Sequence, residues 1–408
     1  MAENKQAPAI RFRGFKDDWK KIKLDSITDV RDGTHSSPSY IEKGHPFITS
    51  KNVNNGFINY ESVQYISDTD YEEINKRSKV HKNDILMGMI GTIGNIALVR
   101  TPPDFAIKNV ALIKDTGEVF YLYLYHCLQS TCVAKQLNEN LDGGTQKFIA
   151  LNKIRGLVIP VSTIEEQKTI GTFLENIDKF ISLHQQKHMQ LMAIKKAMLE
   201  KMFPKEGETV PEIRFAGFSE PWELRQLRKV VKEVTRNDPL STAPVMMITA
   251  TQGFIDQSER YAFNNAGESL KKYTLLHKGE LAYNHGASKL RPYGSCFNLA
   301  SVEEARIPYV YHCFSTKNQN PVFMSIMLNG KNVENQLRRI VSSGARMDGL
   351  LNISFDEYAS ITILLPTLSE QNAIANYFRN LDTLISLQQK KIDQLQHIKK
   401  AFLGKMFV

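Results

Sequence analysis

The chain contains one sequence frame twice. Pro8–Leu24 returns as Pro211–Leu227 at an offset of 203 residues, with 8 identities in 17 positions. Glu166–Phe203 returns without a gap as Glu370–Phe407 at an offset of 204 residues, with 20 identities in 38 positions. The stretches between the repeated segments barely match one another. A duplicated frame around two different inserts predicts one scaffold that presents two unlike readers.

The two inserts, residues 25–165 and 228–369, have nearly equal lengths of 141 and 142 residues. Each is long enough to bury its own core, so two domains are favoured over one. We therefore predict five segments: an N-terminal frame segment at 1–24, a first domain at 25–162, a first helical spacer at 163–210, a second domain with its entry frame segment at 211–367, and a second helical spacer at 368–408.

The chain is basic, with a net charge of +9 from 52 Lys and Arg residues against 43 Asp and Glu residues. A basic balance favours polyanionic partners, chiefly nucleic acid, because binding releases condensed counterions. The alternative is a globular protein that is basic without such a partner, since 42% hydrophobic and 23% charged residues are ordinary for a globular chain.

Cysteine usage and hydropathy indicate a cytoplasmic protein. No cysteine spacing resembles a zinc site, so the four cysteines are expected to be free thiols in a reducing compartment. Residues 1–6 are polar and lack the apolar stretch of a signal peptide. The longest apolar run, Ile85–Val99, contains three glycines and is too short to span a bilayer.

Residues 163–203 and 368–407 are predicted to form long helices, because apolar residues alternate at spacings of four and three along a heptad seam. The first seam comprises Ile170, Leu174, Ile177, Ile181, His184, His188, Leu191, Lys195, Met198 and Met202. The second seam comprises Ile374, Phe378, Leu381, Ile385, Gln388, Ile392, Leu395, Lys399, Phe402 and Met406. Each helix follows a proline and a Ser or Thr and continues into Glu-Gln, which predicts a capped start.

Two such helices favour an antiparallel coiled coil with an approximate internal twofold axis, in which the polar seam residues fix the register. The alternative is that each helix packs separately on its own domain. His184 and His188 lie one helical turn apart, but no third ligand accompanies them, so no metal site is predicted. The first seam, 33 residues from Ile170 to Met202, would be about 50 Å long at roughly 1.5 Å per residue.

The inserts are predicted to be mixed structures, mainly strands and loops, which gives the chain an α+β fold class with two similar α/β domains. Pro46–Ser50 and Pro244–Thr249 are predicted strands that open toward polar tips. Lys82–Leu86 and Lys278–Ala282 are each predicted to be a turn that enters a strand. These matched features predict that the inserts share a fold and differ at their surfaces.

Several motifs together carry a family resemblance. They are Asp32-Gly33-Thr34-His35, Gly143-Gly144-Thr145-Gln146-Lys147-Phe148, Ser342-Ser343-Gly344-Ala345-Arg346-Met347, Leu351-Asn352-Ile353-Ser354, and Leu365-Pro366 leading into Ser369-Glu370-Gln371. With the duplicated frame, the chain resembles the specificity subunit of a Type I restriction–modification system over essentially its whole length. The Asp-Gly-Thr-His motif has no copy in the second insert, which indicates two different recognition subtypes.

The resemblance implies two target recognition domains, each of which reads one half of a bipartite, asymmetric site in double-stranded DNA. It implies that the two long helices set the spacer and dock two modification subunits, which methylate adenine with S-adenosylmethionine. Restriction subunits that translocate and cut DNA with ATP and Mg²⁺ join that core, while this chain holds no cofactor. A helical spacer of the predicted length could hold two readers about one turn of DNA apart, roughly 34–36 Å.

Candidate DNA contacts are polar side chains in loops, because such groups read base edges and hold phosphates. In the first insert the candidates are Thr34, His35, Thr49, Ser50, Lys51, Asn52, Thr145, Gln146 and Lys147. In the second insert they are Thr249, Thr251, Gln252, Asn284, His285, Ser288, Lys289, Arg291, Tyr293, Ser343 and Arg346. The alternative for each is an ordinary polar loop, and Tyr293 could equally pack beneath its loop.

Motifs for catalysis are missing from the sequence. No G-x-x-x-x-G-K-[ST] loop for ATP occurs, and Thr101–Phe105 departs from the tetrad of an amino-methyltransferase. The sequence therefore favours a DNA-recognition subunit that is not itself an enzyme. Two alternatives stay open: a self-contained DNA-modifying enzyme, and a coiled-coil scaffold whose inserts bind protein.

Overall fold

The structure, a computed structural model, describes residues 7–54, 56–143, 147–259, 267–341 and 350–407. It divides into two compact units. Unit 1 comprises Met1–Gln186 and Gln388–Val408, and unit 2 comprises Lys187–Leu387. Both units mix helices and strands, so the predicted α+β class is confirmed. In the described part of the chain, no helix is both long enough and apolar enough to cross a bilayer.

Unit 1 contains eleven described strands around short helices. The strands are β1 (Lys20–Lys23), β2 (Val30–Asp32), β3 (His45–Thr49), β4 (Val53–Asn54), β5 (Phe57–Ile58), β6 (Gln64–Ile66), β7 (Ile85–Gly88), β8 (Ile96–Leu98), β9 (Ala106–Lys108), β10 (Val110–Ile113) and β11 (Val158–Val161). The helices are α1 (Asp68–Ser78), α2 (Tyr121–Cys127), α3 (Thr131–Glu139), α4 (Leu151–Arg155) and the first part of α5 (Ile164–Lys201).

The central sheet of unit 1 has the strand order β2-β10-β7-β8 and is antiparallel throughout. Every residue of β10 is buried, which fits its run of four apolar side chains in the middle of the sheet. A second sheet has the order β6-β3-β9 and pairs β3 with β9 in parallel. The β1–β11 ribbon brings the start and the end of the insert together.

Unit 2 repeats the central sheet and the two-stranded ribbon of unit 1, but the strands beside the central sheet differ. Its strands are β12 (Glu223–Gln226), β13 (Val231–Glu233), β14 (Met246–Thr249), β15 (Gly253–Asp256), β16 (Thr274–His277), β17 (Leu281–Asn284), β18 (Ser295–Asn298), β19 (Glu304–Ile307), β20 (His312–Thr316) and β21 (Thr362–Leu365). Its helices are α6 (Leu227–Val230), α7 (Pro321–Leu328), α8 (Lys331–Ile340), α9 (Phe355–Tyr358) and the first part of α10 (Leu368–Lys405).

The central sheet of unit 2 has the order β13-β20-β17-β18, and β12 pairs with β21 as β1 pairs with β11. The two inserts therefore share a fold, as their matched strand signals predict. They differ beside the sheet, where unit 2 has the hairpin β14–β15 and the pair β16–β19. The four predicted strand regions correspond to β3, β14, β7 and β17, each within a few residues of its expected place.

The two long helices, α5 and α10, each span 38 residues, close to their predicted limits. Within unit 1, His184 Nδ1 lies 2.7 Å from Gln388 Oε1, and Lys399 Nζ lies 2.7 Å from Asp178 Oδ1. Residue numbers thus rise along one helix as they fall along the other, so the predicted antiparallel pair is confirmed. The seam residues of both helices are buried or half-buried, which confirms the heptad pattern.

A buried glutamate clasps each repeated frame segment to the start of a long helix. In unit 1 the Arg11 guanidinium donates to Glu166 through Nε at 2.6 Å and Nη2 at 2.8 Å, and Trp19 Nε1 donates to Glu166 Oε2 at 3.0 Å. Two-point pairing of a guanidinium with a carboxylate is strong and geometrically specific. We call this set of contacts the clasp.

Unit 2 contains the same clasp. Arg214 donates to Glu370 through Nε at 2.7 Å and Nη2 at 2.8 Å, and Trp222 Nε1 donates to Glu370 Oε1 at 3.4 Å. The helix caps themselves are threonines, since Thr163 Oγ1 accepts from the Glu166 amide at 3.4 Å. The Glu of the predicted start signal therefore binds the frame segment instead of closing a capping box.

Replacing Glu166 with Ala is expected to destabilise unit 1 by about 3–5 kcal/mol, because it leaves the Arg11 guanidinium and the Trp19 indole without their buried acceptor. Each unit holds one of the two tryptophans of the chain, so urea unfolding followed by tryptophan fluorescence measures the loss. The control is Glu165→Ala, an exposed neighbour, which should change stability by less than about 0.5 kcal/mol. Equal effects from the two variants would contradict the clasp.

Candidate nucleic-acid interface

The first motif, Asp32–His35, forms the loop that leaves β2. The Thr34 amide donates to the Ile107 carbonyl at 3.0 Å, and Thr34 pairs with Lys108 in an isolated parallel bridge. A Cβ on Gly33 would lie 2.2 Å from the Ile107 carbonyl oxygen. Glycine is therefore required at this position for the loop to lie against β9.

His35 stands at the surface between two acceptors. Its Nε2 lies 2.9 Å from Asp32 Oδ2 and its Nδ1 lies 2.6 Å from Asn109 Oδ1. Arg77 also binds the buried carboxylate of Asp32. The buried carboxylate of Asp32 thus holds the exposed side chains of His35 and Arg77.

Asn109 joins two of the predicted segments. Its side chain accepts from His35, and its carbonyl accepts from Ser50 Oγ at 2.7 Å. It adopts a φ of +51°, a left-handed conformation that asparagine tolerates better than most residues. Lys108, the preceding residue, binds Ser37 Oγ beside the same loop. Sequence reasoning missed Arg77, Lys108 and Asn109, and the one local signal is an Asn after a buried β-strand.

Ser50 and Asn52 are buried, which corrects their prediction as DNA contacts. Ser50 Oγ also accepts from the Met89 amide at 3.1 Å. Asn52 Oδ1 accepts from the amide and hydroxyl of Thr49, both at 2.9 Å, and its Nδ2 donates to the Asn59 carbonyl at 3.0 Å. These side chains stabilise the turn after β3, while the exposed Lys51 between them points its charge outward.

The second candidate loop of unit 1 contains Thr145, Gln146 and Lys147, and the structure describes the residues where this loop begins and ends. Asp142 and Phe148 exchange backbone hydrogen bonds at 2.9 and 3.0 Å. Lys147 is exposed and adjoins this closure. Thr145 and Gln146 lie outside the described residues.

In unit 2 the residues Thr249, Thr251 and Gln252 form the tip of the β14–β15 hairpin. Thr249 Oγ1 accepts from the Gln252 amide at 3.2 Å, and Gly253 turns the chain with a φ of +72°. Thr251 and Gln252 are exposed, while Thr249 is half-buried. The hairpin therefore presents one hydroxyl and one amide side chain at its tip.

His285 is buried and anchors a neighbouring segment, which corrects its prediction as a DNA contact. Its ring lies 2.7 Å from the Leu351 carbonyl through Nδ1 and 2.6 Å from the Val310 carbonyl through Nε2. Asn284 donates to the Ile248 carbonyl at 3.1 Å. The hairpin and the chain after β17 are thus joined to the segment that begins at Leu350. Ser343 and Arg346, just before that segment, lie outside the described residues.

The loop after β17 divides into anchored and exposed residues. The Arg291 guanidinium donates to the Asn329 carbonyl at 2.8 Å, and desolvation by burial lowers its pKa. Tyr293 packs against the core of unit 2, as its alternative interpretation predicted. The Ser288 amide donates to the Arg291 carbonyl at 3.1 Å, which leaves Lys289 and Leu290 at the exposed tip. Ser288 is also exposed, so the loop offers a hydroxyl and an ammonium group.

Comparison with known proteins shows a likeness to one family. Residues 16–193 match the model of the Type I restriction modification DNA specificity domain. Over that stretch the chain resembles this family. Its relatives include the specificity subunit assigned to the type I restriction enzyme MjaX of Methanocaldococcus jannaschii, which is 24% identical over 95% of this chain and 92% of the relative. The EcoBI specificity subunit of Escherichia coli is 28% identical over 40% of this chain and 35% of the relative.

A solved structure shows the same fold. The Type-I restriction-modification system S subunit from M. genitalium superimposes with a TM-score of 0.62 over 98% of this chain and 99% of that chain, at 14% sequence identity. The mixed fold with a long helix pair is therefore shared with that S subunit. The resemblance inferred from the duplicated frame and its motifs is confirmed.

Proposed function

We propose that each unit reads one half of a bipartite, asymmetric sequence in double-stranded DNA. The observation that carries this proposal is the convergence of separate polar segments on one end of each central sheet. In unit 1 they meet at Asn109, and in unit 2 they meet at Asn284 and His285. The scaffold is the same in both units, and the side chains exposed there differ, so the two units read different sequences.

Within unit 1 the basic side chains around the candidate loops are suited to phosphates. His35, Arg77 and Lys108 surround the Asp32 loop, and Lys51 and Lys147 extend the positive surface along neighbouring turns. Arg and Lys side chains account for much of the phosphate contact that positions a protein on DNA. Sequence discrimination then falls to amide and hydroxyl groups, with Thr34, Thr145 and Gln146 as candidates.

The exposed candidate DNA contacts of unit 2 carry less positive charge than those of unit 1. Thr251 and Gln252 lie at the hairpin tip, and Ser288 and Lys289 lie at the exposed tip of the next loop. Arg346 remains a candidate base contact, because a guanidinium can bind guanine O6 and N7 together.

The chain acts in this proposal without catalysis of its own. Modification subunits supply adenine methylation with S-adenosylmethionine, and restriction subunits supply ATP- and Mg²⁺-dependent translocation and cleavage. The antiparallel helices α5 and α10 set the length of unread DNA between the half-sites. Incubating the purified chain with DNA and a labelled methyl donor tests the division of labour, since methyl transfer by this chain alone would overturn it.

Exposed apolar side chains on the long helices support two equivalent docking surfaces. Three frame positions carry an exposed apolar side chain in both helices, each pair being offset by 204 residues. The pairs are Phe180 and Leu384, Leu183 and Leu387, and Ile194 and Ile398. Each unit thus carries three such side chains outside the helix seam. Exposed apolar groups that recur at equivalent positions indicate partner binding, and their duplication indicates two copies of one partner.

Replacing Lys51 or Lys108 with Ala is expected to weaken DNA binding by the methylating complex about equally on all sequences, because both variants lose phosphate contacts. Each should also reduce the slope of log affinity against log salt by about 1. Electrophoretic shifts at several salt concentrations measure this. The control is Lys82→Ala, an exposed lysine before β7 at the end of the strand away from the candidate loops. Unchanged slopes in both variants would remove these lysines from the interface.

The double variant Phe180→Ala/Leu183→Ala is expected to lose one of two bound modification subunits, since it removes apolar contact area from one surface only. Leu384→Ala/Leu387→Ala should lose the other. Native mass spectrometry of the assembled complex reports the change from a 2:1 to a 1:1 complex. Ser182→Ala and Ser386→Ala, exposed neighbours on the same helices, are the controls. A 2:1 complex retained in both double variants would contradict the docking surfaces.

A further inference from the structure

His126 is a fully buried polar side chain of unit 1. It lies in α2 with no exposed surface, and neither ring nitrogen has a hydrogen-bond partner among the described residues. Burial lowers the pKa of the imidazole well below its usual range, and the nearby charges of Lys399 and Arg100 lower it further. The ring is therefore neutral at pH 7 and has a free nitrogen lone pair, which is the state that binds a metal ion.

Two carboxylates face this ring. Glu175 and Asp178 lie one turn apart on α5, so they project from the same face of the helix. One ligand atom from each of His126, Glu175 and Asp178 lies within 4.8 Å of the other two. Glu175 is buried and Asp178 is half-buried. Burial raises the pKa of the Glu175 carboxyl, and the nearby Arg100 opposes this shift.

Comparison of the two copies of the frame shows which residues of this cluster are repeated in unit 2 and which occur in unit 1 alone. Lys399 binds Asp178 at 2.7 Å in unit 1, and Lys195 binds Asp382 at 2.5 Å at the equivalent place in unit 2. That ion pair therefore belongs to the frame. The other two positions are not repeated, because Ile326 occupies the position of His126 and Arg379 that of Glu175. Unit 1 alone adds an imidazole and a carboxylate beside the shared pair.

We propose that His126, Glu175 and Asp178 bind one divalent transition-metal ion that links α2 of the first recognition domain to α5. One imidazole nitrogen and two carboxylate oxygens suit Zn²⁺ or Co²⁺, whereas Mg²⁺ and Ca²⁺ favour all-oxygen sites. Zinc bonds to these atoms are about 2.0–2.2 Å long, so small side-chain rotations bring the three ligands to one ion. Water or a fourth side chain completes the coordination.

Lys399 competes with the ion for the same carboxylate. It binds both oxygens of Asp178, at 2.7 and 2.8 Å, and also donates to Gln129 Oε1 at 3.1 Å. Metal binding requires one of these oxygens to turn toward His126, while Lys399 keeps the other oxygen and Gln129. The ammonium charge opposes the ion, so it weakens the site and does not abolish it.

The test is titration of the full-length chain with zinc chloride, read by calorimetry and by thermal unfolding. The wild-type chain should bind one saturable equivalent, and its melting temperature should rise by at least about 2 °C at excess zinc. His126→Leu should lose both effects. Without zinc, the same variant should be at least as stable as the wild type, because it removes two buried nitrogens that lack partners.

Two further variants separate the site from other effects. Lys399→Met should bind zinc about tenfold more tightly, because it removes a like charge close to the ion. Lys195→Met, the same frame position in unit 2, should leave zinc affinity unchanged. Absence of a one-equivalent transition in both the wild type and Lys399→Met would overturn the proposal. Zinc binding that survives His126→Leu would also overturn it, since the ion would then sit on other groups.

Discussion

At the start of each long helix, a buried glutamate pairs with an arginine of the frame segment, and this ion pair holds the unit together. Glu166 and Glu370 lie inside the protein, where an unpaired carboxylate is very costly. Each is neutralised by an arginine that lies about 155 residues earlier in the chain. The clasp therefore forms only when the frame segment returns to the helix that ends the insert. It closes each unit around its insert.

That closure explains why the inserts can differ while the frame stays alike. The ribbons β1–β11 and β12–β21 hold the two ends of each insert beside one another. A glutamine after each glutamate adds a second tie, since Gln167 Oε1 accepts from the Phe120 amide and Gln371 Oε1 accepts from the Asn320 amide. The described residues of the loops at the far end of the central sheet make none of these contacts. Their side chains are thus free to differ between the units without loss of the frame.

The sequence predicted the features that follow periodic or repeated patterns. The helix limits, the heptad seam and the shared fold of the inserts depend on local spacing, which one sequence displays. Burial of single polar residues has no such signal. Ser50, Asn52 and His285 have the chemistry of DNA contacts, yet each binds backbone groups inside its own unit. Their residue types alone could not reveal that.

Clusters of side chains that come from distant positions in the sequence could not be predicted either. Arg77 lies 45 residues from Asp32 in the sequence, and Asn109 lies 74 residues from His35. Only folding brings these residues together. His126 lies 49 residues before Glu175 and resembles no metal motif in its spacing. Comparison of the two units recovers part of this information, because the frame pair Lys399–Asp178 has its counterpart and His126 has none.

We infer that the duplicated frame holds two interchangeable readers. The most direct measurement replaces the insert between Leu227 and Thr362 with a second copy of the insert between Leu24 and Val158, followed by sequencing of the DNA methylated by the assembled complex. We expect a methylated site whose two halves are inverted copies of one sequence. A methylated site that keeps the original, asymmetric second half would contradict it.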